Sequence, residues 1–177
     1  VDRMMKACYE KGLKMRGHTL LWHSQTPDWF FRAGYSKTTN YVDKSTMTAR
    51  EEFFIKNYLG HCCTSPYGSI IYAWDVVNEY VHAPNNHSGW QKIYGNFSGG
   101  KAPYIKDAFI FAYETLAQYN LTSQIHLFYN DFNTYMDVNK IVDLVDYINQ
   151  LRLGGMEKRE AIIEAGKTRL RPILMTA

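Results

Sequence analysis

The sequence lacks the features that would mark a membrane, metal-binding or nucleic-acid-binding protein. No apolar run reaches the roughly 18 residues that a membrane-spanning helix needs. The three cysteines, Cys8, Cys62 and Cys63, do not have the paired spacing of metal ligands. Residues 1–151 carry equal numbers of acidic and basic side chains, so the main body is neutral and offers no general nucleic-acid surface. We therefore expect no membrane span, no metal or other cofactor, and no nucleic-acid partner.

The end of the chain lacks aromatic residues and histidine altogether. Aromatic residues make up 15% of the whole chain, yet none of them falls in residues 152–177. The same residues carry the whole formal net charge of +3. A shift this sharp indicates a boundary. We predict one main domain over residues 1–150 and a separate, helical tail over residues 151–177.

Helical and strand-like patterns alternate along the main body. The spacing of apolar residues predicts strands in LKMRGHTLLWH, SIIYAWDVVNE and QIHLFYNDFN, with helices before, between and after them. A loop to about residue 47 precedes the second helix, where Thr48 and Glu51 resemble a capping box. Residues 82–103 are predicted to be a loop, and the last helix covers residues 138–148. Such alternation predicts an α/β fold with a parallel sheet built from βαβ units.

The apolar faces of two of these helices can be predicted from their spacing. The second helix is predicted to bury Phe53, Phe54, Tyr58 and Leu59. The third is predicted to bury Ile105, Ala108, Phe109, Ala112 and Leu116.

Each predicted strand ends in polar or ring-bearing residues. These residues are His18 and Trp22, then Asn78 and Glu79, then Asn130 and Asp131. The carboxyl ends of parallel strands share one edge of a sheet, which is where parallel α/β folds carry their active sites. Alone, each of these residues has an ordinary structural explanation, such as a solvated strand end for Glu79 or a core position for His18 or Trp22.

Three motifs together resemble a known family. RGHTLLWHSQTPDWF, YAWDVVNE and LFYNDFNTY, in this order, are similar to consecutive strand-end motifs of the family 10 glycoside hydrolases, the endo-1,4-β-xylanases. The resemblance covers about residues 1–150. It implies part of a (β/α)8 TIM barrel, about strands three to five with their flanking helices. It also implies xylan or a xylo-oligosaccharide as partner and a secreted parent protein, although the opening VDRMMKACYEKG has a helix pattern rather than that of a signal peptide.

The resemblance also implies a role for each strand-end residue. Glu79 corresponds to the catalytic acid/base of a retaining mechanism. The residues that correspond to substrate-binding positions are His18, Trp22 and Asn78 around the cleaved bond, with Tyr129 and Asn130 on the aglycone side. A retaining glycosidase also needs a second carboxylate about 5–5.5 Å from the acid. The family's segment for this nucleophile reads like ITELD and has no counterpart here, so we expect the chain alone to be inactive.

The end of the chain resembles a different family. LVDYINQLRLGGMEKREAIIEAGKTRLRPILMTA, residues 144–177, is similar to a segment of the resistance–nodulation–division efflux pumps. The resemblance implies a chimera of two coding sequences; a genuine fusion and a diverged barrel helix are the alternatives. For the function of the chain, the alternatives to a xylanase fragment are a non-catalytic xylan-binding remnant and a fragment of an efflux transporter.

Overall fold

The computed structural model describes residues 1–80, 83, 87–95 and 102–132. The predicted helix over residues 138–148 and the predicted tail lie outside these described residues. No helix within the described part is long and apolar enough to cross a membrane.

The described part of the chain is a three-stranded sheet with helices between the strands. In chain order the elements are α1 (Asp2–Glu10), β1 (Met15–Trp22), α2 (Lys44–Thr64), β2 (Ile71–Asn78), α3 (Gly89–Tyr94), α4 (Pro103–Gln118) and β3 (His126–Asn130). Short 3-10 helices cover Asp28–Phe31, Ala33–Tyr35 and Gly68–Ile70. The strands pair in the order β1-β2-β3, and both pairings are parallel. The predicted parallel α/β fold is confirmed.

One face of the sheet packs under α2. The ring of Trp74 on β2 lies edge-on to Tyr58 of α2, with 5.9 Å between the ring centroids. The same indole covers Gly17 on β1 so closely that a Cβ there would lie 2.4 Å from it. Because successive side chains of a strand point to opposite faces, Asp75 projects from the other face of the sheet.

The third predicted helix is confirmed as α4. Pro103 occupies the first turn, where its missing N–H costs no intrahelical bond. All of the residues predicted for its apolar face are buried, namely Ile105, Ala108, Phe109, Ala112 and Leu116.

The start of α2 differs from the prediction. The helix begins at Lys44, and Asp43 is its N-cap: the Asp43 side chain accepts a hydrogen bond from the backbone N–H of Thr46 at 2.8 Å. Thr48 and Glu51 therefore lie inside the helix, so the predicted capping box is wrong. Thr48 instead forms a hydrogen bond with the Tyr94 hydroxyl at 2.9 Å.

The apolar face predicted for α2 is only partly correct. Leu59 is fully buried, but Phe53 is 70% exposed. The residues that α2 buries are Met47, Glu51, Ile55, Leu59, Gly60 and Cys62. Glu51 belongs to this set. Because it is acidic, the spacing of apolar residues cannot indicate that its position is buried.

Helix α3 lies within residues that were predicted to be loop. Its first turn is held by a capping box in which Gln91 accepts a hydrogen bond from the backbone N–H of Ser88. Its Trp90 is buried and stacks on Tyr104 of α4, with 4.7 Å between the ring centroids. This helix has six residues, so tertiary packing rather than intrinsic propensity stabilises it.

Candidate active site

The ends of the three strands form one row at the carboxyl edge of the sheet. Trp22 at the end of β1 is the Cα partner of Asn78 on β2. Asn78 is in turn the partner of Asn130 at the end of β3. Glu79 follows directly after β2. The structure thus brings four of the six predicted site residues to one edge.

Glu79 lies in a constrained position just beyond β2. Its φ angle of 56° is left-handed, a conformation that costs an ordinary L-residue about 1–2 kcal/mol. The backbone N–H of Glu79 donates to the carbonyl oxygen of Asn130 at 2.8 Å. The indole Nε1 of Trp22 donates to Oε2 of the Glu79 carboxylate at 2.9 Å. A half-buried carboxyl group with one oxygen held in this way leaves its other oxygen to exchange a proton with a ligand.

Asn78 is buried and held by its neighbour. Nδ2 of Asn130 donates to Oδ1 of Asn78 at 2.7 Å. This bond occupies the carbonyl oxygen of Asn78. The NH2 group of its amide is therefore the part left to bind a ligand, as a donor.

His18 lies in the middle of β1, four residues before the end of the strand. Its Cα partner is Asp75, and Nδ1 of His18 lies 2.9 Å from Oδ2 of Asp75. The His18 ring also meets the Trp22 ring edge-on, with 6.0 Å between the centroids. The His18 side chain is 45% exposed, so the ring is fixed on one side and open on the other.

Tyr129 occupies the position of β3 next to Asn130. Its hydroxyl donates to Oδ2 of Asp131, the residue that follows the strand. Since neighbouring side chains alternate between faces, Tyr129 and Asn130 project from opposite faces of the sheet. This geometry ties Tyr129 to the loop after β3.

The prediction from sequence missed two charged residues that belong to this site, Asp75 and Arg16. Asp75 is 4% exposed and accepts hydrogen bonds from Arg16, one of them from Nε at 2.9 Å. A signal for both was present in the sequence. Asp75 interrupts an otherwise apolar strand, YAWDVVN, and a buried charge needs a partner. Arg16 precedes His18 by two positions, so both project from the same face.

The donor groups of the described residues do not form a metal centre. No group of three or more histidine, cysteine, aspartate and glutamate side chains within the described ranges could hold a metal ion.

Comparison with known proteins gives one family. The sequence model of glycosyl hydrolase family 10 matches residues 1–158. The chain is 54% identical over 150 residues to endo-1,4-beta-xylanase A of Butyrivibrio fibrisolvens, covering 85% of this chain and 36% of that protein. The family match extends past the boundary predicted at residue 150. These comparisons give no support to the predicted resemblance of residues 144–177 to efflux pumps.

Solved structures of xylanases have the same fold. A xylanase 10B structure from Clostridium thermocellum, in complex with xylohexaose, gives a TM-score of 0.71 at 30% identity and covers 85% of this chain and 31% of that one. An intracellular xylanase of Thermoanaerobacterium saccharolyticum, a glutamate-to-alanine mutant bound to xylotriose, gives a TM-score of 0.69 at 32% identity, with coverages of 87% and 44%. The chain thus spans less than half the length of each of these proteins.

Proposed function

Because the chain belongs to glycosyl hydrolase family 10, we propose that it builds the acid/base side of the active site of a retaining endo-1,4-β-xylanase. The observation that carries this proposal is the carboxyl group of Glu79, which the Trp22 indole holds at the carboxyl edge of the sheet. Asn78 and Asn130 lie in the same row and supply polar groups beside it.

In this mechanism Glu79 first acts as an acid. It donates a proton to the glycosidic oxygen while the bond to the leaving sugar breaks, and afterwards it takes a proton from the attacking water. Trp22 donates to Oε2, so Oε1 is the oxygen of Glu79 that would carry the proton. An acid placed in this way accelerates a reaction by about 10²–10⁴-fold.

Substrate binding is proposed for the residues around Glu79. The NH2 group of Asn78 would donate to a sugar hydroxyl beside the cleaved bond. His18 would bind the same sugar, and the Trp22 ring would pack against it. Tyr129 and Asn130 would line the side of the leaving sugar. The ligand is xylan or a xylo-oligosaccharide, as the complexes of the related enzymes with xylohexaose and xylotriose suggest.

Titration with xylohexaose, followed by tryptophan fluorescence, tests this site. We expect binding to change the emission of Trp22 and the Asn78→Ala variant to bind about fivefold more weakly, since one hydrogen bond is worth about 1 kcal/mol. Glu10→Gln, an exposed change on α1, is the matched control and should bind as the wild type does. Equal affinity of all three proteins would contradict the assignment.

We predict that the chain alone has no measurable xylanase activity. Without a nucleophile, no glycosyl-enzyme intermediate can form, and no segment of the sequence resembles the family's nucleophile strand. The measurement is turnover of an aryl xyloside with a good leaving group. Turnover that disappears in Glu79→Gln would show that the chain contains a second catalytic carboxylate.

We further propose that the xylanase part ends near residue 150, that residues 151–177 form a separate helical segment, and that the parent protein is secreted. The change in composition at residue 152 supports the boundary. The efflux-pump origin of the last segment rests on its sequence resemblance alone.

Sequencing the parent gene through both ends is the test. A downstream strand that reads like TELD would indicate a whole xylanase, whereas a downstream series of apolar spans would indicate a pump.

A further inference from the structure

Arg16, His18 and Asp75 form a hydrogen-bonded group on the face of the sheet opposite α2. His18 and Asp75 are Cα partners, and Asp75 is in turn the partner of Phe128 on β3. The guanidinium of Arg16 lies 4.4 Å from the centre of the Phe128 ring. Arg16 on β1 therefore contacts a residue of β2 and a residue of β3, on the N-terminal side of the proposed sugar-binding edge.

The carboxylate of Asp75 has its two oxygens assigned to different partners. Oδ1 accepts hydrogen bonds from Nε and Nη2 of Arg16. Oδ2 lies 2.9 Å from Nδ1 of His18. The Asp75 side chain is only 5% exposed, so its charge has to be compensated within the protein, and Arg16 supplies that compensation.

This arrangement fixes the hydrogen of the imidazole ring. An ionised carboxylate can only accept a hydrogen bond, so Nδ1 of His18 must carry the N–H. Arg16 occupies Oδ1 of Asp75, so Oδ2 is the oxygen that accepts from Nδ1 of His18. Nε2 then stays unprotonated on the open side of the ring, where it can accept a hydrogen bond.

We propose that Arg16 is a positioning residue that, through Asp75, fixes the ring hydrogen of His18 on Nδ1, so that Nε2 accepts a hydrogen bond from a sugar hydroxyl. This inference rests on the proposed function for the identity of the ligand. Among the described residues, the Trp22 ring also contacts the His18 ring, and the Trp22 indole in turn donates to the carboxylate of Glu79. Without Arg16, Oδ1 of Asp75 loses the two hydrogen bonds that Arg16 donates to it, so the carboxylate is no longer fixed to accept from Nδ1 of His18.

The test is nitrogen NMR of the full chain labelled with 15N-histidine at pH 7, with the His18 signals identified by their loss in His18→Gln. In the wild type we expect a proton on Nδ1 and none on Nε2. In Arg16→Gln and Arg16→Met we expect the share of His18 rings with a proton on Nε2 to rise at least twofold. Arg16→Lys keeps the charge and should keep the wild-type ring. Two neutral variants are made so that the test can be carried out if either of them folds.

Two results would overturn the proposal. One is a proton on Nε2 of His18 in the wild type, whatever the variants show. The other is an unchanged ring in a folded Arg16→Gln or Arg16→Met protein. The measurement needs no sugar, so a chain that fails to bind xylohexaose but shows the expected ring states would refute the proposed function and not the role of Arg16.

Discussion

Glu51 is a buried acid that should make the stability of the chain depend on pH. It lies on α2 with no exposed surface, and neither of its carboxyl oxygens has a hydrogen-bond partner among the described residues. Burial, and to a smaller extent the charge of Asp107, raise the pKa of Glu51 well above its ordinary value of 4.5. Glu51 is therefore protonated in the folded chain at pH values where it is ionised in the unfolded chain.

The sign of the effect follows from proton binding. Above pH 4.5 the folded chain holds a proton on Glu51 that the unfolded chain has lost. The free energy of unfolding then falls by about 1.4 kcal/mol for each pH unit, until the folded carboxyl group itself ionises. Below pH 4.5 both states are protonated and this loss disappears. The total loss is set by how far the pKa of Glu51 in the folded chain lies above 4.5.

Replacing Glu51 by glutamine should remove this dependence. Glutamine has the same shape and no charge, so Glu51→Gln is expected to match the wild type at pH 4. Above pH 4.5 its stability should exceed that of the wild type by a margin that grows by about 1.4 kcal/mol for each pH unit, until Glu51 ionises in the folded wild type. Asp107 also has a raised pKa, owing to its burial, and its contribution remains in both proteins. Urea unfolding at pH values from 4 to 8 measures the difference, with Glu52→Gln, a change at a partly exposed position of the same helix, as control. Parallel curves for Glu51→Gln and the wild type would refute the reasoning.

Two further predictions concern packing and capping. Gly17→Ala should lower the free energy of unfolding by about 1–3 kcal/mol, because the added Cβ would lie 2.4 Å from the Trp74 indole. An unchanged urea midpoint would contradict that close contact. Asp43→Ala removes the N-cap of α2, so hydrogen exchange of the amides in its first turn should become several-fold faster, whereas Asp43→Ser should keep the cap. Equal exchange in the alanine variant would show that Asp43 does not cap the helix.

The sequence predicts the sheet and α4 well because their signals are local. The apolar face of α4 repeats at regular spacing, and each strand is a compact apolar run closed by polar residues. The parallel order follows from the alternation of helices and strands. For the same reason, Trp22, Asn78, Glu79 and Asn130 could be predicted to meet at one edge.

The remaining features depend on contacts between distant residues. Thr48 and Glu51 have the spacing of a capping box, but the Tyr94 hydroxyl binds Thr48 and the core encloses Glu51. Helix α3 exists because Trp90 stacks on Tyr104, which no pattern within residues 82–103 indicates. The partnership of Arg16 with Asp75 joins residues 59 positions apart. These pairings become visible only when the strands are aligned.

The central claim is that Glu79 is the acid/base of a xylanase, and a hybrid enzyme tests it most directly. The part of this chain that aligns over 150 residues with the Butyrivibrio xylanase would replace the aligned part of that enzyme. Xylan hydrolysis would be measured for hybrids carrying Glu79 or Glu79→Ala. We predict that Glu79→Ala slows hydrolysis by about 10²–10⁴-fold. Azide should restore turnover of an aryl xyloside with a good leaving group, while Glu10→Ala has no effect. Undiminished xylan hydrolysis by the Glu79→Ala hybrid would contradict the claim.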